Sequence, residues 1–148
     1  MVQQAAATTS ERYALPRAWL PGTYDFSFSG LKTALYHLVH RETIIGDPAR
    51  VAAAAAGFQD AVVEVLVRKA TGAAEECGAK CILVSGGVAA NSLLRERLAA
   101  EASGPVYIPP LRFCTDNAAM VAACSFFSST AGTPGGPALD VEPGLSLS

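Results

Sequence analysis

Apolar and polar positions change their period several times along the chain, and each change marks an element. Tyr24-Asp25-Phe26-Ser27-Phe28 alternates and predicts a short strand. Leu31, Ala34, Leu35, Leu38 and Val39 then recur at i, i+3, i+4, i+7 and i+8, which predicts a helix capped by Ser29 and ending near Arg41. Over residues 52–77, Phe58, Val62, Val65, Leu66 and Lys69 fall at helical spacing, while Ala61, Val63 and Val67 occupy the other faces. This pattern predicts a helix contacted on more than one side, with Gly78 as its left-handed terminator.

Cys81-Ile82-Leu83-Val84-Ser85 is a continuous apolar run and predicts a strand buried on both faces. Gly86-Gly87 follows, then a helical stretch from about Asn91 to Ala102, then the short strand Val106-Tyr107-Ile108. The segment therefore reads as a βαβ unit with a right-handed crossover and a parallel sheet. Pro109-Pro110 opens a loop, and Thr115 is placed to cap a last apolar helix through Met120, Val121, Cys124 and Phe127. Residues 1–14 show no clear period and read as a lead, residues 15–128 as one α/β domain, and residues 129–148, rich in Ser, Gly, Pro and Thr, as a disordered tail.

Composition narrows the class. With 148 residues, 51% hydrophobic and 16% charged, the chain suits one globular core. Much of the apolar content is alanine, and no apolar run reaches the roughly 18–20 residues of a membrane-spanning helix. The first residues carry no basic segment followed by an apolar run, so the expected location is cytoplasmic, with no membrane association. A net charge of −2 offers no basic footprint for nucleic acid, so an RNA substrate would need additional surface. Cys77, Cys81, Cys114 and Cys124 form no Cys-x-x-Cys pair and are expected as buried, reduced thiols.

Ser85-Gly86-Gly87-Val88-Ala89-Ala90-Asn91 lies where the carboxyl end of a strand meets a helix N-terminus, the usual place for ligands in open α/β sheets. Glycines there admit an anionic group to the backbone N–H groups, although a tight turn alone also explains them. Asp116, at the start of the last helix, is either a first-turn acid favoured by the helix dipole or a metal ligand. His37 and His40, three apart on one helix, have no acidic or Cys companion and suit a half-exposed surface better than a metal. Lys32 is open to a phosphate contact, to a pair with Asp25, or to simple exposure.

Three segments, in this order and spacing, resemble signatures of the tRNA N6-adenosine threonylcarbamoyltransferase family, formerly called O-sialoglycoprotein endopeptidases: Asp25-Phe26-Ser27-Phe28-Ser29-Gly30-Leu31-Lys32-Thr33-Ala34, Gly86-Gly87-Val88-Ala89-Ala90-Asn91, and Phe113-Cys114-Thr115-Asp116-Asn117-Ala118-Ala119-Met120. The resemblance implies the actin-like ATPase fold with RNase H-like lobes, of which this chain looks like the C-terminal part, a parallel or mixed sheet flanked by helices. It implies transfer of a threonylcarbamoyl group from threonylcarbamoyl-AMP to N6 of the adenosine beside the anticodon, at position 37, of tRNAs reading codons that begin with A. By the same resemblance Asn91 binds that substrate, Gly86 and Gly87 line its nucleotide side, and Asp116 ligates a divalent iron or zinc. tRNA and other subunits of the threonylcarbamoyladenosine machinery are the implied partners. The family's His pair, four apart, has no counterpart in this sequence, so the chain alone is expected to be inactive. A non-catalytic α/β interaction module is the alternative. A peptidase finds neither a nucleophile with its base nor His-Glu-x-x-His here.

Overall fold

In the computed structural model residues 2–127 are described, and they fall in two compact units that divide between Thr115 and Asp116. The predicted disordered tail lies outside the described residues. The first unit is organised on one helix. Asp47 accepts hydrogen bonds from the N–H groups of Ala49 (3.0 Å) and Arg50 (3.2 Å), and Pro48 occupies the first turn, where its missing N–H costs nothing. The helix therefore starts before the apolar pattern does. It is numbered α3 (Pro48–Glu76, 29 residues), after α1 (Val2–Ala6) and α2 (Ser29–Arg41). At its other end Gly78 adopts φ +60°, Ala79 N–H reaches the Ala74 carbonyl (2.8 Å) and Gly78 N–H that of Glu75 (3.1 Å), a Schellman ending that needs glycine.

As the pattern predicts, α3 is contacted on more than one side. One side packs Ala54 and Ala61 with Leu15, Leu31, Leu38 and Ile44, joining α2 and the N-terminal segment into a first cluster. The other packs Val63 and Val67 against Leu94 and Leu98, with Val84 and Val106 at its margin. The backbone of Tyr13 lies directly on α3: its N–H donates to the Ala53 carbonyl at 3.3 Å, and a Cβ on Gly57 would sit 2.1 Å from the Tyr13 carbonyl oxygen. The lead carries α1, whose Ala6 is buried; five residues are too few for the period to show.

Residues 24–28 are not a strand. Their alternation meets no sheet edge, and Tyr24 and Phe26 are exposed. The buried Lys69 organises this segment instead: its ammonium donates to the carbonyls of Leu20 (3.3 Å), Thr23 (2.9 Å) and Asp25 (2.6 Å) and lies 5.8 Å from the Phe26 ring centroid. The Tyr24 hydroxyl donates to Glu76, and this bond raises the phenol's pKa above its ordinary value. In α2, Leu31 and Leu38 are buried as expected, but Ser29 is the first helical residue and Phe28 holds the cap position without a side-chain bond.

β1 (Ile82–Leu83) and β2 (Val106–Tyr107) pair in parallel, Ile82 with Val106 and Leu83 with Tyr107, with α4 (Ser92–Glu101) between them in the chain. The parallel βαβ reading therefore holds, and the unit is α/β, but the strand is not buried on both faces. α3 and α4 cover the face bearing Val84 and Val106, whereas Leu83 is 76% and Tyr107 59% exposed. Of the cysteines only Cys114 is buried; Cys81 is half-buried, and Cys77 and Cys124 are exposed. The second unit, taken by itself, is described through α5 (Ala118–Phe127), which starts later than a cap at Thr115 implies: Asn117 accepts from the Met120 N–H at 3.0 Å. No helix among the described residues is long and apolar enough to cross a membrane.

Two outcomes test this packing. Lys69→Met keeps the apolar stem but leaves the carbonyls without their donor, so urea unfolding should show a loss of about 2 kcal/mol and amide exchange should accelerate over residues 20–26. Glu64 is held below the ordinary glutamate value of 4.5 by the hydrogen bond from Arg17 (2.8 Å), with smaller help from the charges of Arg17 and Arg68. A depressed folded pKa stabilises above the unfolded value and is lost as pH falls through the folded one. Denaturation of the Glu64→Gln variant should thus differ from the parent at pH 7, and the gap should close below pH 4.5.

Candidate functional site

The chain leaves β1 at its carboxyl end and turns at Gly86, whose φ of +86° and ψ of 174° only glycine adopts without strain. A single 3-10 turn, Gly87–Ala90, then precedes α4, so strand and helix are not joined by the glycines alone. Ala89 N–H donates to the Gly86 carbonyl (3.0 Å) and Asn91 N–H to that of Val88 (3.0 Å), while the N–H groups of Gly87 and Val88 precede the first bonded donor of the turn. Gly86 and Gly87 are exposed, and a Cβ on either would meet nothing within 4 Å. Their surroundings are open surface on which a ligand's anionic group has room to approach the turn.

Asn91 closes the turn and caps α4. Its Oδ1 accepts from Leu94 N–H (3.0 Å) and its Nδ2 donates to Gln59 Oε1 (2.9 Å) on α3. One helical turn on, Arg95 Nε donates to the Ala89 carbonyl at 2.6 Å, and Nη2 to the Pro109 carbonyl at 2.6 Å and to Cys114 Sγ at 3.1 Å. Gln59 and Arg95 therefore fix the site, and neither is evident from the motif. The available signal was the i, i+4 spacing of Asn91 and Arg95, which sets Arg95 on the turn side of α4.

The structure brings Gly86, Gly87 and Asn91 together. Asp116 begins the second unit, two residues after Cys114, and is exposed. Among the described residues no group of three or more His, Cys, Asp or Glu side chains gathers in metal-binding geometry. His37 and His40 are exposed and engage Tyr36: ring centroids lie 5.7 and 4.1 Å away, and His40 Nδ1 is 2.8 Å from the Tyr36 carbonyl oxygen. Lys32 is exposed and forms no ion pair with Asp25 among the described residues. A cleft of about 250 Å³ lined by Glu75, Cys81 and Ser103 lies at the opposite end of β1 from the glycine turn.

Replacing Asn91 separates its two bonds. Asn91→Ala should cost about 1 kcal/mol in chemical denaturation through loss of the cap. Asn91→Asp should stay near the parent, because a carboxylate caps equally well and the Gln59 amide can turn its N–H toward it.

Comparison with known proteins gives a consistent result. A family model described as TsaD, tRNA N6-adenosine threonylcarbamoyltransferase, matches residues 1–123. Relatives bearing that name include one from Dehalococcoides mccartyi, 53% identical over 133 residues (90% of this chain, 40% of the relative), and one from Bacillus thuringiensis, 47% identical over 138 residues (90% and 40%). Another, from Thermomicrobium roseum, is 44% identical over 155 residues (92% and 42%). The chain spans about two-fifths of the length of these relatives. With most of its length matched by the model and by these relatives, the chain belongs to the tRNA N6-adenosine threonylcarbamoyltransferase family.

Proposed function

We propose that this chain supplies the glycine-turn part of a site that transfers a threonylcarbamoyl group from threonylcarbamoyl-AMP to N6 of adenosine 37 in tRNA. The observation that carries the proposal is the turn Gly86–Asn91 at the carboxyl end of a parallel strand, in a chain of this family. In the reaction the adenosine N6 attacks the carbamoyl carbonyl carbon, the bond from that carbon to the phosphate oxygen breaks, AMP leaves with the electron pair, and N6 loses a proton. The N–H groups of Gly87 and Val88, ahead of the first bonded donor of the turn, suit the phosphate of the donor, and the start of α4 adds the favourable end of its dipole. Asn91 is proposed to hold the same substrate through its amide.

The larger frame of the proposal is the actin-like ATPase superfold, with its RNase H-like lobes completed by sequence that this chain does not contain. Asp116 is proposed as one ligand of a divalent iron or zinc whose other ligands come from that sequence. The other subunits of the threonylcarbamoyladenosine machinery and a cytoplasmic setting belong to the same proposal. One observation favours a second reading, a non-catalytic α/β interaction module: the Asn91 amide already has structural partners in Leu94 and Gln59.

One experiment separates the two. tRNA modification and bound metal are measured for the chain alone and mixed with a family N-terminal portion that bears the His pair. The transferase reading expects activity only in the mixture, lost in Gly87→Val with the fold intact, since a side chain there has space within the protein. It also expects bound metal to drop in Asp116→Ala. A folded mixture without activity would count against the transferase reading and favour the module.

A further inference from the structure

α2 buries Leu31 and Leu38 and turns its other side outward, where Lys32, Thr33, Tyr36, His37, His40 and Arg41 are all exposed. At i, i+4 and i+8 these residues form two adjacent stripes, Lys32-Tyr36-His40 and Thr33-His37-Arg41, along about 13 Å of helix. No Asp or Glu lies between Asp25 and Glu42, so residues 26–41 carry a charge of +2 and the rest of the chain −4. A total of −2 thus conceals a local basic face. Lys32 forms no ion pair among the described residues. Arg41 pairs with its neighbour Glu42 at 2.9 Å, but 74% of its side chain is exposed, and a surface pair of this kind holds weakly. Tyr36 has no part in the core: it is exposed, and its ring stands against those of His37 and His40. A cleft of about 260 Å³ opens beside these rings, lined by Leu15, Pro16, His37 and Arg41.

We infer that the outer face of α2 is a surface for single-stranded RNA, and that its occupant is the anticodon loop of the tRNA. The inference rests on the proposed function and adds to it the place where an acidic chain meets a polyanion. Lys32 and Arg41, near the two ends of the face, take phosphates. The rings between them offer a platform for an unpaired base, the combination by which single strands are held without sequence readout. Interfaces for proteins carry few charges at their centre, whereas this face sets one exposed aromatic among cations and imidazoles.

The test uses the full chain and an unmodified transcript of a tRNA that reads codons beginning with A, with binding followed by fluorescence anisotropy at several salt concentrations. Replacing both cations, Lys32→Glu with Arg41→Glu, should weaken binding at least about tenfold and reduce the slope of log affinity against log salt by about 1.4. Tyr36→Ala should weaken it at least about fivefold, while Tyr36→Phe stays near the parent because the ring and not the hydroxyl stacks. Lys80→Glu, the same charge change at an exposed position off α2, should also stay near the parent. A single-stranded oligonucleotide of the loop sequence should compete at least about tenfold better than a duplex of equal length. All of these positions are exposed, and far-UV circular dichroism checks that each variant keeps the fold. The inference is overturned by a chain that does not bind the transcript, by α2 variants that bind as the parent does, by an equal loss in Lys80→Glu and Lys32→Glu, or by equal competition from the duplex. Modification in the mixture with the N-terminal portion, unaffected by the α2 variants, would remove only this inference; tRNA held through α2 in a mixture that does not modify it would remove only the transferase reading.

Discussion

The first unit depends on α3 being buried on several sides at once. A helix in that position must present small or branched apolar residues around much of its circumference, and the run Ala52 to Ala56, Gly57, Ala61, Val63, Val65 and Val67 does so. The small residues let other chain segments approach closely: Tyr13 lies against Gly57 at a distance that leaves no room for a methyl group. Farther along, the branched Val63 and Val67 replace alanine and pack against α4 and the sheet. Lys69 marks the boundary of this burial, exchanging water for backbone carbonyls that would otherwise lack donors.

From that helix the candidate site is positioned by few links. Gln59 of α3 fixes the Asn91 amide, Asn91 caps α4, and Arg95 of α4 returns to the glycine turn and to the Pro109–Cys114 loop. Bonds to a charged donor are stronger than neutral ones, so the Arg95 guanidinium is the strongest tie between turn and loop. The glycines contribute the opposite property, conformational freedom at Gly86 and open space at Gly87. A rigid surround and a bare turn together make a surface shaped for a ligand.

Much of this was legible in the sequence because burial and period coincide there. α2, α3, α4 and the parallel pairing follow from their apolar spacing, as do the glycine turn and the Gly78 terminator. Residues 24–28 misled because alternation predicts a strand only where a partner edge exists, and here the carbonyls of Leu20, Thr23 and Asp25 go to an ammonium distant in sequence. β1 reads as a strand buried on both faces, and one face is bare among the described residues; an apolar run records what a segment suits, and the cover is a separate fact. Gln59 and Arg95 could not be ranked above other polar helix residues, because their importance comes from contacts 32 and 6 residues away in the chain.

The structural bonds of Asn91 and its proposed contact with substrate are compatible on the stoichiometry of one amide group. An asparagine side chain offers two N–H donors and an oxygen with two lone pairs. Gln59 takes one donor and Leu94 N–H one lone pair. One donor and one lone pair remain, and they belong to a group whose rotation is already fixed at both ends. A ligand meeting such an amide finds it oriented before binding and need not supply the entropy of ordering it. The cap and the Gln59 bond thus do the work of pre-organisation, and an aspartate at position 91, though it would keep the cap, would present negative charge and no donor to an anionic substrate.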